Sequence, residues 1–317
     1  MSRTLWKVIP PAYWMVIGIF AVGAVAIDGY TSAFSIRALL VLSAFLVIAS
    51  AGQTMTMLIG GIDLSIPFVV GFANVAAAQL SSDGMPFAMA IVVVVAISMC
   101  IGAANGAISS ALKVHPLIIT LGTGTVTLGA VLLWTRGYPS GSAPGYINEF
   151  VSIGATIGPI PIPWLVPATI LLVLALYLFE TRTVLGRQVF ALGSNPTAAP
   201  YVLIRPLRVW VFCFAVSAAL AAITGILLLG FSGAAFADAG RPYLFQTVAA
   251  AVIGGTALSG GKGGILGTVA GALALTQLNT VLIGFGLDQS AVQVALGALI
   301  VLVVALYGRQ PHLRNAI

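Results

Sequence analysis

Charge is what this chain is short of. Among 317 residues, 13 are Lys or Arg and 7 are Asp or Glu, whereas a soluble domain carries about 25% charged residues. So few charges cannot cover a water-exposed surface of this size, so the solvent for most of the chain is lipid. Cysteine is almost absent. Cys100 and Cys213 each fall within an apolar run, which argues against a disulfide framework and predicts two small buried thiols. Histidine occurs only as His115 and His312, so the sequence predicts no metal site and no catalytic group set. The net charge of +6 could suggest nucleic acid. It comes instead from basic residues at the ends of apolar runs, the pattern of membrane orientation.

What is present is apolar: 60% hydrophobic residues and 36 glycines. In a membrane, small residues let helix backbones approach closely. The first apolar run covers Tyr13 to Ile27, after a short start carrying Arg3 and Lys7. With Ala24-Val25-Ala26 it has the outline of a secretory signal. In a chain that is apolar throughout, it is read instead as a first span and its own insertion signal. Further runs lie at 36–59, 64–81, 86–111, 115–135, 163–180, 209–231, 244–259, 264–286 and 290–308. The expected fold is an all-α polytopic membrane protein, one transmembrane domain over 1–317, with about ten spans (eight to ten). The runs at 64–81 and 244–259 are short and read as possible re-entrant or broken helices.

With both termini in the cytoplasm, ten alternating spans put Arg3, Lys7, Lys113, Arg182, Arg187, Arg205, Arg208, Lys262, Arg309 and Arg314 inside, against Arg37, Arg136 and Arg241 outside. This is the bias expected of cytoplasmic loops. The loop at about 181–208 then faces the cytoplasm. Leu185, Val189 and Leu192 follow i, i+4, i+7, which predicts a short amphipathic helix. Gly193 is read as its end, and Ser194 or Asn195 as the cap of a second short helix with Pro196 in its first turn. Such a pair would suit a groove in a soluble partner, or would simply lie among the headgroups. Outside, Gly137 to Pro163 is Gly- and Pro-rich and reads as a short hairpin or lid.

Two stretches share a pattern: IGGIDLS at 59–65 and IGGTALS at 253–259. They read as two uses of one glycine turn, built on Gly60 and Gly61 and on Gly254 and Gly255. Asp63 or Ser65 would cap the helix that follows the first, with Pro67 in its first turn. The alternative for Asp63 is a broken helix beside a transport path. Gly260-Gly261-Lys262 is not a phosphate loop, since Thr256 and Gly263 stand where that pattern needs Gly and Ser or Thr. Gly263, Gly264, Gly267 and Gly271 form a small-residue stripe for close helix contact. Polar side chains within the apolar runs are few and uncharged. Gln53, Asn74, Asn105, Thr120, Gln246 and Asn279, together with Asp63, are the candidate lining of a path for a neutral polyhydroxy solute. For each residue alone, an interhelical hydrogen bond is the simpler reading.

The stretches GQTMTMLIGGIDLS at 52–65, LGRQVFALGSNPTAA at 185–199 and AAVIGGTALSGGKGGILGTVAGAL at 250–273, with GAANG at 102–106 and HPLIITLGT at 115–123, resemble one family. It is the membrane permease of bacterial sugar importers of the ATP-binding cassette class, typified by the ribose, xylose, arabinose and galactoside permeases. The resemblance covers most of the chain in the right order. It implies a permease of the bacterial inner (plasma) membrane, paired with a second, identical or related, permease subunit. A periplasmic sugar-binding protein would deliver the solute, and a separate cytoplasmic ATPase would supply ATP and Mg chemistry and drive alternating access. The permease itself would bind no cofactor and be no enzyme. Gly186, Arg187, Gly193 and Asn195 match the family's ATPase-coupling segment, in which Leu185, Ala191 and Pro196 also stand, while Asp63 and Gly255 match its glycine-rich turns; Gly60, Gly61, Gly254, Gly260 and Gly261 read as further structural turn glycines. Pro200 departs from the family pattern and implies a shorter or kinked second half of the coupling segment. The competing readings are a permease for branched-chain amino acids or another polar solute, and an ion-coupled carrier. The scarcity of buried acids argues against the latter.

Overall fold

The computed structural model describes residues 11–307. Arg3, Lys7, Arg309, His312 and Arg314 lie outside the described residues. Within them the chain forms twelve α-helices. They are α1 (Pro11–Ala26), α2 (Ala33–Leu58), α3 (Ile66–Ser82), α4 (Phe87–Leu112), α5 (Pro116–Trp134), α6 (Gly145–Val151), α7 (Leu165–Arg182), α8 (Val184–Ser194), α9 (Pro206–Ser232), α10 (Tyr243–Ile253), α11 (Ile265–Gly284) and α12 (Gln289–Tyr307). Two 3-10 turns, Ala199–Val202 and Ala237–Gly240, complete it.

Each apolar run of the sequence contains one helix. Among the described residues, six of these, α2, α4, α5, α7, α9 and α11, are long and apolar enough to cross a membrane. Helices α1 and α3 have 16 and 17 residues, and α10 has only 11. At 1.5 Å per residue α10 is about 16 Å long, roughly half the hydrocarbon thickness. The run at 244–259 is therefore a half-length helix followed by a glycine turn.

Helix α9 is the hub. It packs against α2, α3 and α4, and 61% of its apolar window is buried, against 17% for α7. Glycine is why the contacts are close. A Cβ at Gly102 would overlap the Phe214 carbonyl, and one at Gly106 would sit 2.5 Å from the Trp210 carbonyl oxygen. The GAANG stretch is thus a small-xxx-small face of α4 laid on α9. A second cluster groups α1, α2, α10, α11 and α12. The predicted glycine stripe is split. Gly267 and Gly271 press α11 against Gly254 and Ala250 of α10, whereas Gly263 and Gly264 precede α11 in a turn at φ 115° and 151°.

Gly137 to Pro163 folds as α6 followed by a tight hairpin in which Ile157 and Ile160 exchange backbone hydrogen bonds of 2.9 and 3.1 Å. Of the two cysteines, Cys213 is buried as expected and Cys100 is exposed. In a bilayer an apolar run can face outward without penalty, so hydropathy alone does not imply burial in protein.

Candidate functional site: a short helix seated on two glycine turns

Helix α8 starts where α7 stops. Thr183 caps it, its hydroxyl oxygen accepting from the Gly186 N–H at 3.0 Å, which satisfies one orphan donor of the first turn. One face of α8 is buried: Gly186, Val189, Leu192 and Gly193. This face joins Met55, Leu58 and Ile59 from the end of α2 and Val209, Cys213 and Phe214 from α9 in one apolar cluster. The other face is exposed and carries Arg187, Ala191, Asn195 and Pro196. Leu185 is half-buried. The predicted amphipathic helix is therefore present, with a sharp division between the two faces.

Gly193 does not end the helix as its composition suggested; α8 continues to Ser194 with Asn195 as C-cap. The reason for glycine is contact. A Cβ there would overlap the Leu58 carbonyl and lie 2.6 Å from the Gly261 nitrogen. Asn195 Oδ1 accepts from the Ala198 N–H at 3.0 Å. It thus turns the chain into the 3-10 turn, whose second residue is Pro200. The predicted second helix is one 3-10 turn, short as Pro200 implied.

The two glycine turns are the same structure. After α2, Gly60 (φ 81°) donates to Met57 O and Gly61 to Thr56 O, both at 2.9 Å. After α10, Gly255 (φ 89°) donates to Val252 O and Thr256 to Ala251 O, again both at 2.9 Å. Each is a Schellman ending with glycine in the left-handed position, displaced by one residue between the two IGG copies. A third turn, at Gly260 and Gly261 (φ 84° and 74°), touches the first. The Gly261 N–H donates to Leu58 O at 2.8 Å, and a Cβ on Gly260 would lie 2.7 Å from the Gly60 nitrogen. Ser194 of α8 stands over Gly261. Helix α8, the turn after α2 and the turn at Gly260–Gly261 therefore form one contact site.

Glu180, which the sequence reading passed over, ties the other end of this unit. It is buried in the last turn of α7, and its Oε2 accepts from the Ile265 N–H at 3.1 Å, capping α11. The signal was an acid in an otherwise apolar helix, two residues before Arg182.

Two residues past the first turn lies Asp63, 1% exposed. Its Oδ1 accepts from the Ser65 N–H at 2.9 Å and the Ser65 hydroxyl at 2.5 Å, and its Oδ2 from the Ser217 hydroxyl at 2.7 Å. With its nitrogen facing the Asp63 carbonyl, the Gln53 amide donates there at 2.9 Å and accepts from the Asp63 N–H at 3.3 Å. Asn105 donates to Ser65 Oγ at 3.1 Å and accepts from the Thr123 hydroxyl at 2.7 Å. Thr120 accepts from the Leu64 N–H at 3.0 Å. Burial pushes the Asp63 carboxyl above its ordinary pKa, while the Ser65 and Ser217 hydrogen bonds pull against that shift. Ser65 is the residue before α3 but makes no capping bond. The Asp63 side chain instead holds the turn.

The candidate polar residues thus fall into three groups. Gln53, Asp63, Asn105 and Thr120 form this network. Asn74 stands apart, donating to Gly225 O at 3.2 Å and accepting from the Phe236 N–H at 2.9 Å. Gln246 and Asn279 line a cavity elsewhere.

A family model described as "Branched-chain amino acid transport system / permease component" matches residues 35–304. Among curated relatives, the ribose import permease protein RbsC of Haemophilus influenzae is 36% identical over 82% of this chain and 80% of its own length. The fructose import permease protein FrcC of Rhizobium meliloti is 29% identical over 93% and 84%. The D-allose transport system permease protein AlsC of Escherichia coli is 31% identical over 92% and 88%. No solved structure matches.

Proposed function

The chain belongs to this permease family, and on that premise we propose that it is the membrane subunit of an ATP-driven importer carrying a monosaccharide or related polyol across the bacterial inner membrane. The observation that carries the reading is the seating of α8. A separate ATPase would grip the exposed face at Arg187, Ala191, Asn195 and Pro196, on the cytoplasmic side favoured by the distribution of arginines. The buried face, through Gly193, would pass each movement to the turn after α2 and the turn at Gly260–Gly261 at once. ATP and Mg belong to that partner. A second permease subunit and a periplasmic binding protein complete the assembly.

The family description names branched-chain amino acids, whereas the three relatives above are named for sugars; their similarity runs along nearly the whole chain, which supports sugar. In this reading Gln53, Asp63, Asn74, Asn105 and Thr120 fasten helices, since each has its hydrogen bonds made. Gln246 and Asn279 are left to meet the solute.

The test is uptake into proteoliposomes holding the permease, its ATPase and its binding protein. ATP-dependent accumulation of labelled D-ribose, D-fructose or D-allose is the expected result. Accumulation of L-leucine instead would transfer the chain to the amino-acid reading. Uptake driven by an ion gradient without ATP would overturn both.

A further inference from the structure

A cavity of about 360 Å³ lies among α2, α9, α10, α11, the start of α12 and the 3-10 turn at Ala237–Gly240. That is within the range of roughly 300–1,000 Å³ typical of small-molecule sites. Its polar walls are Asp238, Gln246, Thr276, Asn279 and Gln289, and Tyr243 adds an aromatic ring. Among the described residues, the side chains of Asp238, Gln246, Asn279 and Gln289 have no hydrogen-bond partner in the protein. This separates them from the Asp63 network, where every side chain is engaged. Polar groups facing a cavity unpaired keep their bonding capacity for water or a ligand.

The set suits a polyol. Each amide offers donors and an acceptor to adjacent hydroxyls, and the Asp238 carboxylate accepts from further ones. No cationic side chain lines the cavity, so an amino-acid carboxylate would find no counter-charge, while a neutral sugar needs none. The cavity sits at the first turns of α10, and the loop that leaves the other end of that helix meets α8 at Gly261. Helix α10 and the loop 254–261 therefore join the two.

We propose that this cavity is a monosaccharide-binding subsite of the permease, formed by Asp238, Gln246 and Asn279 and opened or closed by movement of α10. The assignment rests on the importer reading above.

The test uses the full permease with its ATPase in nanodiscs, carrying Thr276→Cys, on a cavity wall outside the proposed contact set, on a Cys100→Ser background. Maleimide labelling is timed with and without D-ribose, D-fructose, D-allose and L-leucine. The expected result is that an imported sugar slows labelling at least fivefold and leucine does not. In proteoliposomes, Gln246→Ala should raise the KM for that sugar about tenfold, the scale of one lost polar contact. If wild type imports a sugar but labelling and KM stay unchanged, the subsite is wrong and the importer reading stands. If wild type imports none of the three sugars, both fall.

Discussion

The Gly261 amide donates to the Leu58 carbonyl across 2.8 Å. That single bond joins the turn after α2 to the turn at Gly260–Gly261, and Gly193 of α8 closes over both partners. The exposed face of α8 thus lies one residue's thickness from the end of α2 and from the loop between α10 and α11. This geometry makes the following outcomes specific.

A side chain at Gly193 has no room, because its Cβ would overlap the Leu58 carbonyl. Gly193→Val should lift α8 from both turns at a cost of about 1–3 kcal/mol, typical of overpacking. Thermal unfolding in detergent should show a lowered Tm, and uptake in proteoliposomes should fall at least tenfold. Unchanged uptake would mean that the contact transmits nothing.

Arg187 is exposed on α8. Arg187→Glu should therefore change stability by no more than about 0.5 kcal/mol, leave membrane insertion intact, and abolish co-purification of the ATPase. A variant that still retains the ATPase and transports normally would remove α8 from the docking role.

Glu180→Leu deprives the Ile265 N–H of its acceptor and should cost about 0.5–2 kcal/mol, the usual range for a lost helix cap. Glu180→Gln keeps an acceptor oxygen and should stay close to wild type. Hydrogen exchange at the start of α11 checks this directly, since only the Leu variant should exchange faster there.

Asp63 receives three donors from two serines. Asp63→Asn keeps Oδ1 for Ser65, and the Ser217 hydroxyl can turn to accept from the new amide, so folding and uptake should survive. Asp63→Leu strands all three donors at about 1–3 kcal/mol each and should yield no folded protein by size-exclusion chromatography. Loss of uptake in a well-folded Asp63→Asn protein would return Asp63 to the solute path.

The helices were legible in the sequence because lipid demands long apolar runs and glycine marks their ends. The shared IGG pattern disclosed one type of turn used twice. The contact of the first turn with Gly260–Gly261 was not legible, because residues 58 and 261 meet only through the packing of α2 against α10 and α11. Gly193 was misread for a related reason: glycine that ends a helix and glycine that admits a neighbouring carbonyl look alike in one chain. The polar residues were found but not sorted. Whether an Asn fastens two helices or faces a cavity depends on what stands opposite, as Asn74 and Asn279 show. Glu180 was overlooked because its partner is a backbone N–H, which leaves no trace in side-chain composition.

Helix α10 is too short to cross the hydrocarbon, and its last carbonyls are covered by Gly267 and Gly271 of α11. Biogenesis inherits an order from this. Released alone from the insertion machinery, α10 would carry the non-helical backbone of 254–264 to the depth of the lipid tails, where it is tolerated only under protein cover. It is therefore expected to leave as a hairpin with α11. A ribosome that stalls before α11 has emerged strands a segment that the bilayer does not accept.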